Sequence, residues 1–135
     1  MPIDAYDIAY QVRGAVYDVF NNLGPGLLES AYESALIYQL QQRGLKVKSQ
    51  VAIDIPYGDI VIKSAFRLDI LVEGTVIVEL KSVEQLSSLH YKQLRTYLRL
   101  TGNSVGLLVN FNTDDILKSM HNVTNDTKIK APSQK

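Results

Sequence analysis

Apolar residues recur at steps of three and four along the start of the chain, at Ile8, Val12, Ala15, Val16, Val19, Phe20 and Leu23. That period predicts an amphipathic helix from Ile3 to roughly Asn22, stopped by Gly24-Pro25-Gly26. A second helix is expected from about Leu27 to Arg43, with Gly44 placed as a C-terminal cap. The pattern then shortens to a period of two. Residues 46 to 57 partly alternate and read as a strand, with Pro56 marking its end or an edge. Ile60 to Lys63 reads as a second short strand after the turn at Tyr57-Gly58-Asp59. Two β-rich runs flanking Glu73-Gly74 predict a hairpin. A third helix is expected from about Ser87 to Leu100, then a buried strand from Ser104 to Phe111. The order strand, helix, strand over residues 75 to 111 implies a crossover between parallel neighbours. Asp114 to Met120 fits a short helix or an edge strand, and the polar stretch from Asn122 to Lys135 reads as a disordered tail. The organisation expected is therefore α/β, with one domain over residues 1 to 121.

Composition narrows what this domain can be. With 135 residues and 46% hydrophobic content the chain can bury one real core. Fourteen basic residues against fourteen acidic ones leave no net charge, so any surface that binds phosphate must be local. No cysteine occurs, which excludes disulfides, thiolate metal sites and cysteine nucleophiles, and leaves oxygen or imidazole ligands for any metal. The N-terminus lacks the basic start and apolar run of a signal peptide, and no stretch approaches the roughly 20 apolar residues of a membrane span. A soluble cytoplasmic protein with no membrane partner is the expectation.

The stretch FRLDILVEGTVIVELK, residues 66 to 81, carries the chemistry. Glu79 and Lys81 are two apart on a strand and so share a face, while the residues before them are β-branched and apolar, as in a central strand. Buried charges are costly unless paired or bound to a metal. Whether Asp69 joins them depends on the hairpin register. A two-residue turn at Glu73-Gly74 opposes Asp69 to Val78 and sends its carboxylate to the face away from Glu79. A three-residue loop of Glu73, Gly74 and Thr75, or a bulge beside Asp69, restores the alignment.

Two helical faces carry further polar groups. Glu29 and Glu33 lie four apart on the second helix with Tyr32 between them, and His90, Gln93 and Tyr97 are spaced three and four on the third. Acids near a helix N-terminus also interact favourably with its dipole, which needs no functional site. Eight tyrosines among eleven aromatics suit stacking on bases and suit ordinary packing equally.

Gly26, Glu29 and Tyr32 match the signature of the GxxExxY proteins. Asp69, the Glu79-Leu80-Lys81 triplet and the Gln93 to Tyr97 spacing complete a pattern that resembles the PD-(D/E)XK nuclease superfamily over roughly residues 5 to 120. Leu68 stands where the superfamily name places a proline. The resemblance implies a three-layer α/β/α restriction-endonuclease-like core with a mixed central sheet, two N-terminal helices and a crossover helix after the ExK strand. It also implies a phosphodiesterase site dependent on Mg2+ or Mn2+. Asp69, Glu79 and the Leu80 carbonyl would then supply oxygen ligands, with Glu29 ligating a metal or holding its water. Lys81 would orient or deprotonate the attacking water, or stabilise developing charge; the sequence leaves these open. Gln93 and Tyr97 complete the expected catalytic set, and Tyr32 and His90 are expected to touch substrate. The partner is DNA or RNA, and a domain this small would need a homodimer or a partner protein to embrace a duplex. The competing class is a catalytically silent module of the same fold that binds nucleic acid or protein.

Overall fold

The computed structural model describes residues 4 to 125. Five strands form one mixed sheet in the order β1-β2-β3-β4-β5: β1 Val47–Tyr57, β2 Ile60–Val72, β3 Val76–Lys81, β4 Val105–Asn110 and β5 Met120–Thr124. β3 and β4 run parallel, and the other neighbours are antiparallel. Helices α1 (Ala5–Leu23) and α2 (Glu29–Gln42) pack on one face, and α3 (Ser88–Thr101) packs on the other. The result is the three-layer α/β/α architecture, with a helix linking parallel β3 and β4.

Two separate apolar clusters hold the layers. Ile8, Val12, Val16, Leu36 and Leu40 meet Val76, Val78, Leu80, Val105, Leu107 and Val109 on the first face. Leu94 and Leu98 of α3 meet Ile77, Leu108 and Val123 on the second. β3 and β4 are covered on both sides, so Val76 to Leu80 and Val105 to Asn110 are buried throughout and read as continuous rather than alternating runs. A Cβ on Gly106 would lie 3.0 Å from the Leu94 side chain, so a glycine there lets α3 approach β4 closely.

Three boundaries differ from the sequence expectation. The short strand at Ile60 and the strand of Asp69 are one element, because an irregularity between Ile53 and Ile55 lets β2 continue without a break. Asp54 caps that irregularity by accepting the Ser64 N–H at 2.8 Å. Residues 114 to 120 hold both expected elements in turn, a 3-10 turn at Ile116–Lys118 followed by the start of β5. β5 also takes in residues 122 to 124, which polarity alone assigned to the tail: Val123 is buried against α3, and the Asn125 N–H donates to Ser104 O at 2.9 Å. The rest of the expected tail lies outside the described residues. No helix among the described residues is long and apolar enough to cross a membrane.

Candidate active site

The hairpin between β2 and β3 settles the register. Val72 pairs with Val76, Leu71 with Ile77 and Ile70 with Val78, so the loop is Glu73-Gly74-Thr75 and the next opposed pair is Asp69 with Glu79. Glu73 and Gly74 both have positive φ, at 54° and 63°, and the Thr75 N–H closes on Val72 O at 2.9 Å. The main-chain ladder stops at Ile70 and Val78, and side chains take over at the next level. Glu79 Oε1 accepts the Asp69 N–H at 3.3 Å, and Asp69 Oδ2 accepts the Leu80 N–H at 3.0 Å.

This arrangement puts two carboxyl groups together in a largely dry place. Glu79 is only 5% exposed. Burial pushes its carboxyl up to about 9, and the neighbouring Asp69 carboxylate pushes the same way; Lys81 opposes them more weakly. Burial also raises the Tyr97 hydroxyl, again reinforced by the charges of Glu79 and Asp69. Tyr97 therefore lies within electrostatic reach of the pair from α3, its ring stacked on Phe66 with centroids 4.3 Å apart. Lys81 is half-buried and forms no ion pair among the described residues.

The segment after Lys81 is clasped by Asn110, a buried residue at the end of β4. Its amide Nδ2 donates to Val83 O at 2.9 Å, and its Oδ1 accepts from Val83 N and Asn112 N at 3.0 and 3.2 Å. Ser82 Oγ donates to Leu27 O at 2.9 Å, which ties the end of β3 to the loop that starts α2. Gly26 in that loop has φ 102°, a conformation that side-chain-bearing residues rarely adopt. Sequence spacing carried no sign of the Asn110 clasp.

Tyr32, expected to touch substrate, packs inside the core. It is fully buried, stacks on Phe111 at 4.2 Å, accepts the Leu27 N–H at 3.1 Å and donates to Gly24 O at 2.6 Å. Its work is to hold the loop before α2. His90 likewise has a local task, because its Nδ1 accepts the Ser87 N–H at 3.1 Å and caps the start of α3. Gln93 is exposed one turn before Tyr97, and its side chain makes no hydrogen bond among the described residues.

Glu29 opens α2 and is exposed. Glu33, one turn further on, is half-buried and holds the Gln50 amide at 2.9 Å. Burial raises its carboxyl, the charges of Asp69 and Glu29 add to the rise, and the Gln50 hydrogen bond opposes them. Glu33 is thus the acid of α2 that senses Asp69. Its four-residue spacing from Glu29 was the only signal available in the sequence.

Among the described residues, no group of three or more His, Asp or Glu side chains is arranged to hold a metal ion, so Glu29 does not close a ligand cluster with Asp69 and Glu79. The donor set still fits a hard divalent cation of the Mg2+ kind. Such an ion binds through one or two carboxylates and fills its other positions with water and phosphate oxygens. Two adjacent carboxyls, one of them lifted to about 9 by burial and then by its neighbour's charge, are the electrostatic complement of a cation.

A family model described as the PD-(D/E)XK nuclease superfamily matches residues 6–123. No curated protein and no solved structure gave a match.

Proposed function

This chain belongs to the PD-(D/E)XK nuclease superfamily, whose members are usually nucleases that use Mg2+ or similar divalent ions, and from that premise we propose that it hydrolyses phosphodiester bonds of DNA or RNA at Asp69, Glu79 and Lys81. The observation that carries this reading is the opposition of half-buried Asp69 and buried Glu79 beside Lys81, which forms no ion pair among the described residues, at the point where the β2–β3 ladder gives way to side-chain hydrogen bonds.

Asp69 and Glu79, with the Leu80 carbonyl, would hold a Mg2+ or Mn2+ ion. When bound, that ion supplies charge neutralisation at the phosphoryl oxygens and acidifies a water. The chain's own groups do the remainder. Lys81 sits two residues beyond Glu79 on the same strand, where its ammonium orients the attacking water or meets the negative charge that develops on the phosphoryl group. Tyr97 presents a neutral hydroxyl, because burial and the two acids disfavour its ionised form, so it acts as a hydrogen-bond donor to substrate or as an acceptor for the Lys81 ammonium. Gln93, exposed one turn before Tyr97 on the same helix, would contact the nucleic-acid backbone. Glu29 and Glu33 add negative field from α2 and hold water around the ion.

Gly26, Glu29 and Tyr32 have separable jobs in the loop and first turn of α2, namely a left-handed turn, an exposed acid and a buried clasp. That division supports placing the chain in the GxxExxY branch. A second copy or a partner protein would complete the grip on a duplex, since a single small domain with no net charge offers little surface for one.

The test is calorimetric titration of Mn2+ into the protein, alongside cleavage of end-labelled single- and double-stranded DNA and RNA. Millimolar or tighter binding that Glu79→Gln weakens, with cleavage of at least one substrate, is expected. A protein that binds no Mn2+ and leaves every substrate intact is a silent module of this fold and not a nuclease.

A further inference from the structure

Gln50 lies across the sheet from Asp69, and the two strands do something unusual at that step. Ser49 pairs with Ile70 and Val51 pairs with Leu68, but the intervening Gln50 and Asp69 form no ladder pair. Both strands also change faces there. Val47, Ile70 and Val72 pack with α1 and α2, whereas Val51, Ile53, Phe66 and Leu68 pack with α3. Side chains two apart on a regular strand share a face, so Gln50 and Asp69 occupy the positions at which the sheet switches sides.

Gln50 achieves this with φ 52°, in the left-handed region that glycine or asparagine adopts more readily. A glutamine kept in such a conformation points to a use for its side chain. That side chain donates its amide Nε2 to Glu33 Oε1 at 2.9 Å, and the Gln50 carbonyl accepts Arg67 Nη1 at 3.2 Å. The donor is uncharged. A lysine or arginine at this place would neutralise Glu33, whereas an amide fixes the carboxylate's direction and leaves its charge to act on the site.

We infer that Gln50 is a positioning residue of the nuclease centre: it aims the Glu33 carboxylate of α2 at the Asp69 level of the sheet, so that Glu33 joins the acids serving the reaction. This rests on the nuclease reading above. It assigns to β1, a strand with no acid at the site, a part in building it.

The inference is tested by a double-mutant cycle on cleavage and Mn2+ binding with Gln50→Gly and Glu33→Ala. Glycine suits the backbone at Gln50 and removes only the amide side chain, so the thermal midpoint should hold or rise. Turnover should fall roughly tenfold with KM little changed, because a displaced group near the reacting atoms is lost from the transition state more than from binding. Added to Glu33→Ala, Gln50→Gly should cost nothing more. A Gln50→Gly protein that cleaves like wild type overturns the inference alone, as does an undiminished effect of Gln50→Gly in the Glu33→Ala background. A wild-type protein that binds no Mn2+ and cleaves nothing overturns the nuclease reading and this inference with it.

Discussion

Asp69 and Glu79 each hold a backbone amide on the other's strand: Glu79 Oε1 takes the N–H of Asp69, and Asp69 Oδ2 takes the N–H of Leu80. The two carboxyls thereby replace the ladder where β2 and β3 part, and the strands themselves fix the distance between the acids. A cation entering here meets a pair held by the sheet rather than by flexible loops.

The proton on Glu79 makes both stability and metal affinity depend on pH. In the unfolded chain this carboxyl titrates near 4.5, and in the fold near 9. Below the lower value both states are protonated and nothing is lost. As pH rises between the two values the unfolded chain releases its proton while the native state keeps it, so the metal-free protein loses stability through that window. Glu79→Gln removes the effect and keeps an amide able to donate to Asp69. It should raise the stability of the metal-free protein at pH 8 by on the order of 1–3 kcal/mol relative to wild type, with the gap closing near pH 5. Urea denaturation in EDTA at the two pH values checks this.

Metal affinity should move in the opposite direction to metal-free stability. A divalent ion held by Glu79 would displace its proton, so Mg2+ or Mn2+ binding should tighten steadily from pH 6 to pH 9 and release a proton on the way. Titrations in buffers of different ionisation heat reveal that proton directly. An affinity flat across this range would contradict a role for Glu79 in binding the ion.

Tyr32→Phe should cost about 1–2 kcal/mol, because it leaves Gly24 O and Leu27 N without their partner. The ring stack on Phe111 survives, so folding is weakened and not abolished. Denaturant melts give the stability change, and KM for nucleic acid should stay within about twofold of wild type. A KM raised tenfold with unchanged stability would return Tyr32 to substrate binding.

Gln93 makes the contrasting case. It is exposed and its side chain is bonded to nothing within the described residues, so Gln93→Ala should change stability by less than about 0.5 kcal/mol. A fall in turnover without that loss marks a substrate contact. Unchanged turnover would leave Gln93 as ordinary helix surface.

Much of this was legible in the chain, for reasons particular residues make plain. Apolar periodicity located α1, the flanking glycines bounded α2 and the spacing of His90, Gln93 and Tyr97 marked α3, each within a few residues, and the continuous apolar runs at Val76 and Val105 identified buried strands. The hairpin register stayed open because Glu-Gly-Thr suits either loop length. The positive φ of both Glu73 and Gly74, with Thr75 left outside the ladder, is what aligns Asp69 with Glu79. The face switch at Gln50 was invisible, since each strand alternates acceptably on either side of it and only the cores reveal the change. Spacing put Tyr32 and His90 on faces shared with the functional residues but could not say that local backbone groups already occupied their polar atoms. The end of β5 was hidden by its polar residues, Asn122 and Thr124, which are exposed on either side of buried Val123.

The central claim is that Asp69 and Glu79 bind the ion while Lys81 drives the chemistry, and side-by-side single-turnover cleavage with Mn2+ titration of wild type and Lys81→Met tests it most directly. Methionine keeps most of the apolar stem and deletes the ammonium. Mn2+ affinity should be unchanged or higher, since a neighbouring positive charge is gone, and cleavage should fall by at least about 100-fold. Lys81→Met protein that binds Mn2+ and cleaves at the wild-type rate would contradict the account.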